Sequence, residues 1–177
     1  MTNRPYRLLG AIIFFTMLLL LSLLCRAEEI DINTIIFLES SGNPNAYNPN
    51  SGCIGLMGIN PKGALADWNE YQPFYIYQSS HPFDGELKAK KNINREIYNS
   101  NDLYNPEVNV KIGTIYINER IPQMLKAYGI EDTVTARLFC YNAGIGNYRK
   151  YLKGEIKMPE ETRKYIAKYR KLTGGRR

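Results

Sequence analysis

Glu39 is the residue of this chain best placed for acid–base chemistry. It follows a segment in which Ile32, Ile35 and Ile36 recur at three- and four-residue steps, the spacing of one helical face. Glu39 falls on that same face, three residues after Ile36 and seven after Ile32. A carboxyl group pressed toward a core loses hydration, which disfavours its anion and raises its pKa. Such a group keeps a proton at neutral pH and can deliver it. Ser40, Ser41 and Gly42 stop the helix directly afterwards, so Glu39 stands at a helix end beside a loop. By itself, a Glu in this position equally fits an edge-of-core partner for an arginine.

The elements that must hold Glu39 can be followed along the chain. Asp31 is a candidate N-cap for the first helix. Residues 43–52 form a loop crowded with Asn, Pro, Ser and Gly, and Pro61 starts a short helix through Trp68. Lys88 to Asn99 reads as an exposed polar helix. The longest helix opens at Asn105-Pro106-Glu107, with Pro106 in the first turn. Val108, Ile112, Ile115 and Tyr116 form one face and Val110, Ile117 and Ile121 another, the pattern of a helix buried on both sides. Gly113 would admit a close neighbour, and Pro122 is expected to kink or end the helix.

Asp132 or Thr133 caps the next helix, in which Val134, Leu138 and Tyr141 share a face. Ala143-Gly144-Ile145-Gly146 ends that helix, leaving Tyr141 in its last turn within reach of both core and cleft. Pro159 begins the terminal helix, with Glu160 and Glu161 in its positive first turn. Glu161, Tyr165, Tyr169 and Leu172 line one side, which points Glu161 inward. An inward carboxylate is costly unless something binds it.

Four stretches carry a resemblance, and they occur in order: E-S-S-G-N-P-N-A-Y-N with G-L-M-G, N-P-E-V-N-V-K-I-G-T-I-Y-I at 105–117, Y-N-A-G-I-G-N at 141–147, and P-E-E-T-R-K-Y-I at 159–166. Together they resemble the lytic transglycosylase catalytic domain, the soluble-transglycosylase type of glycoside hydrolase family 23, across residues 31 to about 170. The resemblance implies a lysozyme-like, all-α, mainly helical single domain. It also implies cleavage of the β-1,4 bond between N-acetylmuramic acid and N-acetylglucosamine in peptidoglycan, without a cofactor and leaving 1,6-anhydromuramic ends. On the matching positions, Glu39 is the single catalytic acid and base and Ser40 supports the site. Tyr141 lies close to the Glu with Asn142 beside it, Met57 helps line the sugar cleft, and Glu161 hydrogen-bonds a bound sugar. The partners implied are peptidoglycan strands and, for a small exported member, an envelope-spanning secretion or conjugation apparatus.

This chain departs from the family pattern in two places. The family's G-L-M-Q reads G-L-M-G, so Gly58 replaces a glutamine that contacts substrate. Residues 69–104, which include the aromatic run Y-Q-P-F-Y-I-Y, are longer than the family's connection and read as an insertion: a lid, a docking surface or a self-packed loop. Two rival functions stay open, a lysozyme-type hydrolase that uses water and a noncatalytic module that grips glycan strands within an envelope assembly. Trp68 fits core or edge packing better than a sugar platform. The chain's 14 tyrosines suit a carbohydrate cleft, where rings stack on sugars and hydroxyls bond to them.

The whole chain, 177 residues, suffices for one domain with a substantial core. Arg4 and Arg7 precede an apolar run from Leu8 to Leu24 and then Cys25-Arg26-Ala27, which reads as a signal peptide over 1–27 or an uncleaved anchor, with 28–177 as the domain. The protein is thus expected to be exported, to the periplasm or cell envelope, touching a membrane only if that segment is retained. Loss of Arg4, Arg7 and Arg26 would lower the formal net charge from +6 to +3. Residues 149–177 carry eleven Lys/Arg against three Asp/Glu, which fits either an approach to anionic polymer or a solvated helix face. No nucleic-acid motif accompanies this charge. With one histidine, His81, and no Cys/His cluster, no metal site is expected. Cys53 and Cys140 flank motifs that should meet at the cleft, either paired or as two buried thiols.

Overall fold

The computed structural model describes residues 29–70 and 96–174. The expected export segment 1–27, His81 and most of the expected insertion lie outside the described residues. Helix α1 spans Ile32–Ser40. Its start is fixed by Asp31, whose carboxylate accepts from the N–H groups of Asn33 and Thr34 (3.0 and 3.4 Å) and from the Thr34 hydroxyl (2.7 Å). Donors that a helix start leaves open are thereby satisfied. The helix ends where Ser41 and Gly42 take left-handed conformations, φ 54° and 81°. Asp31 also donates its own N–H to the Tyr169 hydroxyl at 2.7 Å, tying the front of α1 to the far end of the domain.

The Asn-rich loop winds on side-chain hydrogen bonds: Asn43 accepts from Asn45 N–H, and Asn48 from Asn50 and Ser51 N–H. It leads into a tight turn, Gly55-Leu56-Met57-Gly58, closed by two hydrogen bonds between Ile54 and Ile59 (3.0 and 2.9 Å). Isolated bridges of this kind, Tyr47 with Ile54 and Ile54 with Ile59, are the only β pairing among the described residues. Helical structure resumes at Pro61 and runs through Glu70 after a wide π-type first turn, burying Ala64, Leu65 and Trp68. Trp68 is thus a core residue, and its ring N–H donates to Glu96 O at 2.9 Å.

The exposed helix expected over Lys88–Asn99 does not extend to its described end, because residues 96–99 are irregular. The Asn69 side chain explains this: its amide donates to Tyr98 O and accepts from Tyr98 N–H (2.8 and 3.1 Å), as a neighbouring strand would. Both backbone groups of Tyr98 are satisfied outside a helix.

Helix α2 spans Pro106–Ile115 and passes through a π-type turn at Tyr116–Arg120 into α3, Ile121–Ala127. Ile112, Ile117, Ile121 and Leu125 are buried along this run. Pro122 does not end it. A proline lacks the N–H that would bond four residues back and crowds that carbonyl, here Asn118. The wider turn immediately before it lets the helix continue. Helix α4, Val134–Ala143, is capped by Thr133, whose hydroxyl accepts from Ala136 N–H, while Asp132 pairs with the largely buried Arg137 at 2.6 Å.

Helix α5 spans Ile145–Leu152 and α6 spans Glu160–Leu172. Helix α4 packs against α3, α5 and α6, and α1 packs against α6, enclosing a core centred on Ile35, Leu138, Phe139 and Ile166. The buried face of α6 is Thr162, Tyr165, Ile166 and Tyr169. This corrects the expected stripe: Glu161 is exposed and Leu172 is 51% exposed, so Glu161 does not point inward. Thr162 takes the inward position and donates its hydroxyl to Asn142 at 2.6 Å. The domain is mainly helical, as expected. No helix among the described residues is long and apolar enough to cross a membrane.

Candidate active site

Glu39 lies in the last turn of α1, where the apolar face that carries Ile35 into the core also turns the carboxyl away from bulk solvent. Burial pushes its pKa from 4.5 up to about 7. The Tyr165 hydroxyl pulls that value down, and the negative charge of Glu161 adds to the rise. Tyr165 reaches Glu39 from α6; its buried hydroxyl falls short of a well-aligned hydrogen bond, but the carboxylate is the acceptor it faces. The outcome is an acid close to half-protonated at neutral pH.

Opposite the carboxyl runs an open groove of about 490 Å³, lined among others by Tyr47, Asn48, Gly58, Tyr141 and Glu161. A second hollow of about 380 Å³, which includes Asn60, Tyr116 and Cys140, shares Ser51, Cys53, Gly58, Tyr141 and Asn142 with the first. The two are therefore contiguous along one cleft. A larger hollow of about 630 Å³ between Asn118, Pro122 and Asp132 shares no residue with this cleft and contains none of the expected site residues. The carboxyl with the raised pKa, Glu39, lines the cleft and not this hollow.

The turn at residues 55–58 forms the floor of the cleft, and three side chains fasten it. The Ser40 hydroxyl lies 2.8 Å from Leu56 O and 3.1 Å from Ile36 O, and it accepts from Gly42 N–H. Tyr141 donates its hydroxyl to Met57 O at 2.7 Å. Asn109, fully buried in α2, accepts from Met57 N–H and donates to Ile54 O and Leu103 O (2.8, 2.9 and 2.8 Å). Gly113 leaves the gap that the Met57 side chain fills, since a Cβ there would stand 2.5 Å from the Met57 sulfur.

The expected site residues thus fall into two groups. Glu39, Tyr141, Asn142 and Glu161 meet along the cleft. Ser40 braces the turn with its hydroxyl. Met57 is a correction: its side chain is 0% exposed and packs into the core, so it does not line the cleft. Burial and the nearby charge of Glu39 raise the Tyr141 pKa well above its ordinary value, so its proton stays on oxygen. Cys53 and Cys140 both border the second hollow and are free thiols, with burial pushing Cys140 up to about 12. Among the described residues no group of three His, Cys, Asp or Glu could hold a metal ion.

Sequence reasoning missed two contributors. Asn109 had a signal, a polar amide between Val108 and Val110 on a helix read as buried on both sides. Tyr165 had none beyond its place on an inward face, because its contact with Glu39 crosses two helices far apart in the chain.

A mainly helical domain here presents one half-dry carboxyl, Glu39, to an open cleft, an arrangement suited to proton donation. The chain belongs to the transglycosylase SLT domain family, whose pattern matches residues 26–164. It is similar to the membrane-bound lytic murein transglycosylase E of Buchnera aphidicola subsp. Acyrthosiphon pisum (strain APS), 34% identical over 52% of this chain and 33% of that protein. The protein of the same name from Buchnera aphidicola subsp. Baizongia pistaciae (strain Bp) is 36% identical over 49% of this chain and 31% of its own length. The chain spans about a third of the length of these curated relatives. Among solved structures, the 70 kDa soluble lytic transglycosylase SLT70 from Escherichia coli aligns over 81% of this chain and 22% of its own, with 26% identity and a TM-score of 0.46.

Proposed function

We propose that the chain is a peptidoglycan lytic transglycosylase in which Glu39 is the single general acid and base. The observation that carries this reading is the Glu39 carboxyl, held half-dry at the cleft with its pKa pushed up to about 7. Glu39 gives its proton to the glycosidic oxygen between N-acetylmuramic acid and N-acetylglucosamine as that C–O bond breaks. The acetamido oxygen of the muramic residue steadies the cationic anomeric carbon. The Glu39 carboxylate then takes the proton of the C6 hydroxyl of the same sugar, and that oxygen bonds to the anomeric carbon. One C–O bond breaks, one forms, the acid regains its proton and no water is consumed. A pKa near the working pH serves both halves of the cycle.

Tyr141 acts through the Met57 carbonyl it holds, keeping the floor of the cleft beneath Glu39, while Asn142 and Glu161 offer polar groups to the sugar. Residues 28–177 constitute the catalytic domain, and 1–27 an export leader or retained anchor that places it in the cell envelope. Glycan strands are its substrate, and an envelope-spanning secretion or conjugation apparatus is the partner proposed for it.

Digestion of isolated sacculi followed by mass spectrometry tests the reading. The parent protein should release 1,6-anhydromuramic ends, and Glu39→Gln should lower that release about 10³-fold while still binding strands. Reducing muramic ends would instead support a second reading, lysozyme-type hydrolysis. That reading is favoured by one observation, that a second carboxylate, Glu161, lines the same groove.

A further inference from the structure

Gly58 stands where the resemblance leads one to expect a glutamine, and the structure gives its lack of a side chain a specific consequence. A Cβ built on Gly58 would stand 2.5 Å from Glu39 Oε2, 3.2 Å from its carboxyl carbon and 3.4 Å from its Cβ. We propose that Gly58 is a positioning residue that fixes the seat of the Glu39 carboxyl: the acid occupies the volume that a side chain at position 58 would fill. The inference rests on the reading of Glu39 as the acid.

The backbone conformation of Gly58 is not a sufficient reason for glycine. Its φ is +57°, and Ser41 in this same chain holds φ 54° with a side chain attached. Asparagine also visits this region at modest cost. In this chain the space a side chain at 58 would take is instead filled by Glu39. The turn has no freedom to retreat from that contact. Gly58 N–H is bonded to Gly55 O (3.1 Å), Ile54 and Ile59 close the turn, and Gly55 N–H is bonded to Ala46 O (2.8 Å). Ser40, Tyr141 and Asn109 hold Leu56 and both backbone groups of Met57. Gly55 is itself wedged, since a Cβ there would meet Asn109 Nδ2 at 2.1 Å. Of the two partners, the glutamate side chain is the one that can move, and the groove is the open direction.

A side chain at 58 therefore drives the carboxyl outward into the groove and toward water, which acts on desolvation, the largest influence on this acid. Leaving the buried seat removes the desolvation that keeps the acid protonated at neutral pH. Gly58 also borders both hollows, so the cleft is open across the position where a longer side chain would project between them.

The test is the titration of Glu39 by carboxyl carbon NMR in full-length protein, alongside the pH profile of sacculus turnover, for Gly58→Ala and Gly58→Asn. The parent carboxyl should titrate near 7 and each variant about one unit lower. The protonated fraction at pH 7 then falls from about half to about a tenth, a loss of about fivefold in kcat/KM at that pH, with turnover recovering as pH falls. If Gly58→Ala does not fold, Gly58→Asn, which tolerates the left-handed backbone, gives the same reading. A Glu39 titration that stays at its parent value in a folded variant overturns the inference. A parent whose carboxyl titrates and shifts as described but which forms no anhydro ends would keep the positioning inference and remove the transglycosylase reading.

Discussion

At the scale of single residues, Glu39 is set by two opposed sets of influences, burial with the nearby Glu161 charge, which raise its pKa, and a tyrosine hydroxyl, which lowers it. Tyr165→Phe removes only the second. The carboxyl should then titrate above its parent value, and the basic limb of the kcat/KM profile should move to higher pH, the reverse of the shift expected for Gly58→Ala. A profile of turnover against pH for the two variants checks the sign directly. The apolar placement of Glu39 was legible because Ile32, Ile35 and Ile36 mark the face that bears it. Glu161 was misread because one helical residue turns about 100°, and the buried face of α6 begins at Thr162. A carboxylate beside that face stays hydrated, which is the cheaper arrangement. Met57 was misread for a different reason: a sequence motif marks a position, and here the side chain is buried while the carbonyl accepts from Tyr141.

At the scale of elements, the 55–58 turn depends on a buried amide from another helix. Asn109 makes three hydrogen bonds with backbone groups of the buried residues Met57, Ile54 and Leu103. Asn109→Ala would orphan Met57 N–H and deprive Ile54 O and Leu103 O of a donor. It should therefore cost about 3 kcal/mol. Urea unfolding checks this as a lower midpoint at unchanged slope, and sacculus digestion should weaken in parallel because the floor under Glu39 loosens. Much of the element pattern could be read from local cues: Asp31 and Pro106 at helix starts, Gly113 at a close approach, the Gly-rich end of α4. The π-type turn before Pro122 could not, since a proline states only that one hydrogen bond is missing and leaves open how the helix absorbs the loss. Nor could the fate of residues 96–99, decided by the Asn69 amide from across the chain.

For the whole molecule, the acid is a stability liability. An unfolded Glu39 would titrate near 4.5 and the folded one near 7, so the folded state binds the extra proton between those values. The stability this group allows is complete below the unfolded value and is lost as pH rises through the folded one. Glu39→Gln, which never ionises, should therefore be more stable than the parent at pH 8 by on the order of 2 kcal/mol, with the difference vanishing below about pH 4. Thermal unfolding of both proteins across that range measures it. The order of the four motifs along the chain made the domain legible as a unit, because spacing between motifs carries topology that no single one does. The bond from Asp31 to the Tyr169 hydroxyl has a mechanical corollary. Helices α1 and α6 run in opposite directions along their seam, so tension drawn from the two ends of the domain peels this seam open instead of shearing it. The load reaches Asp31 and Tyr169 first and then Tyr165 and Glu39, so the contact that tunes the carboxyl parts early, before the force arrives at Phe139.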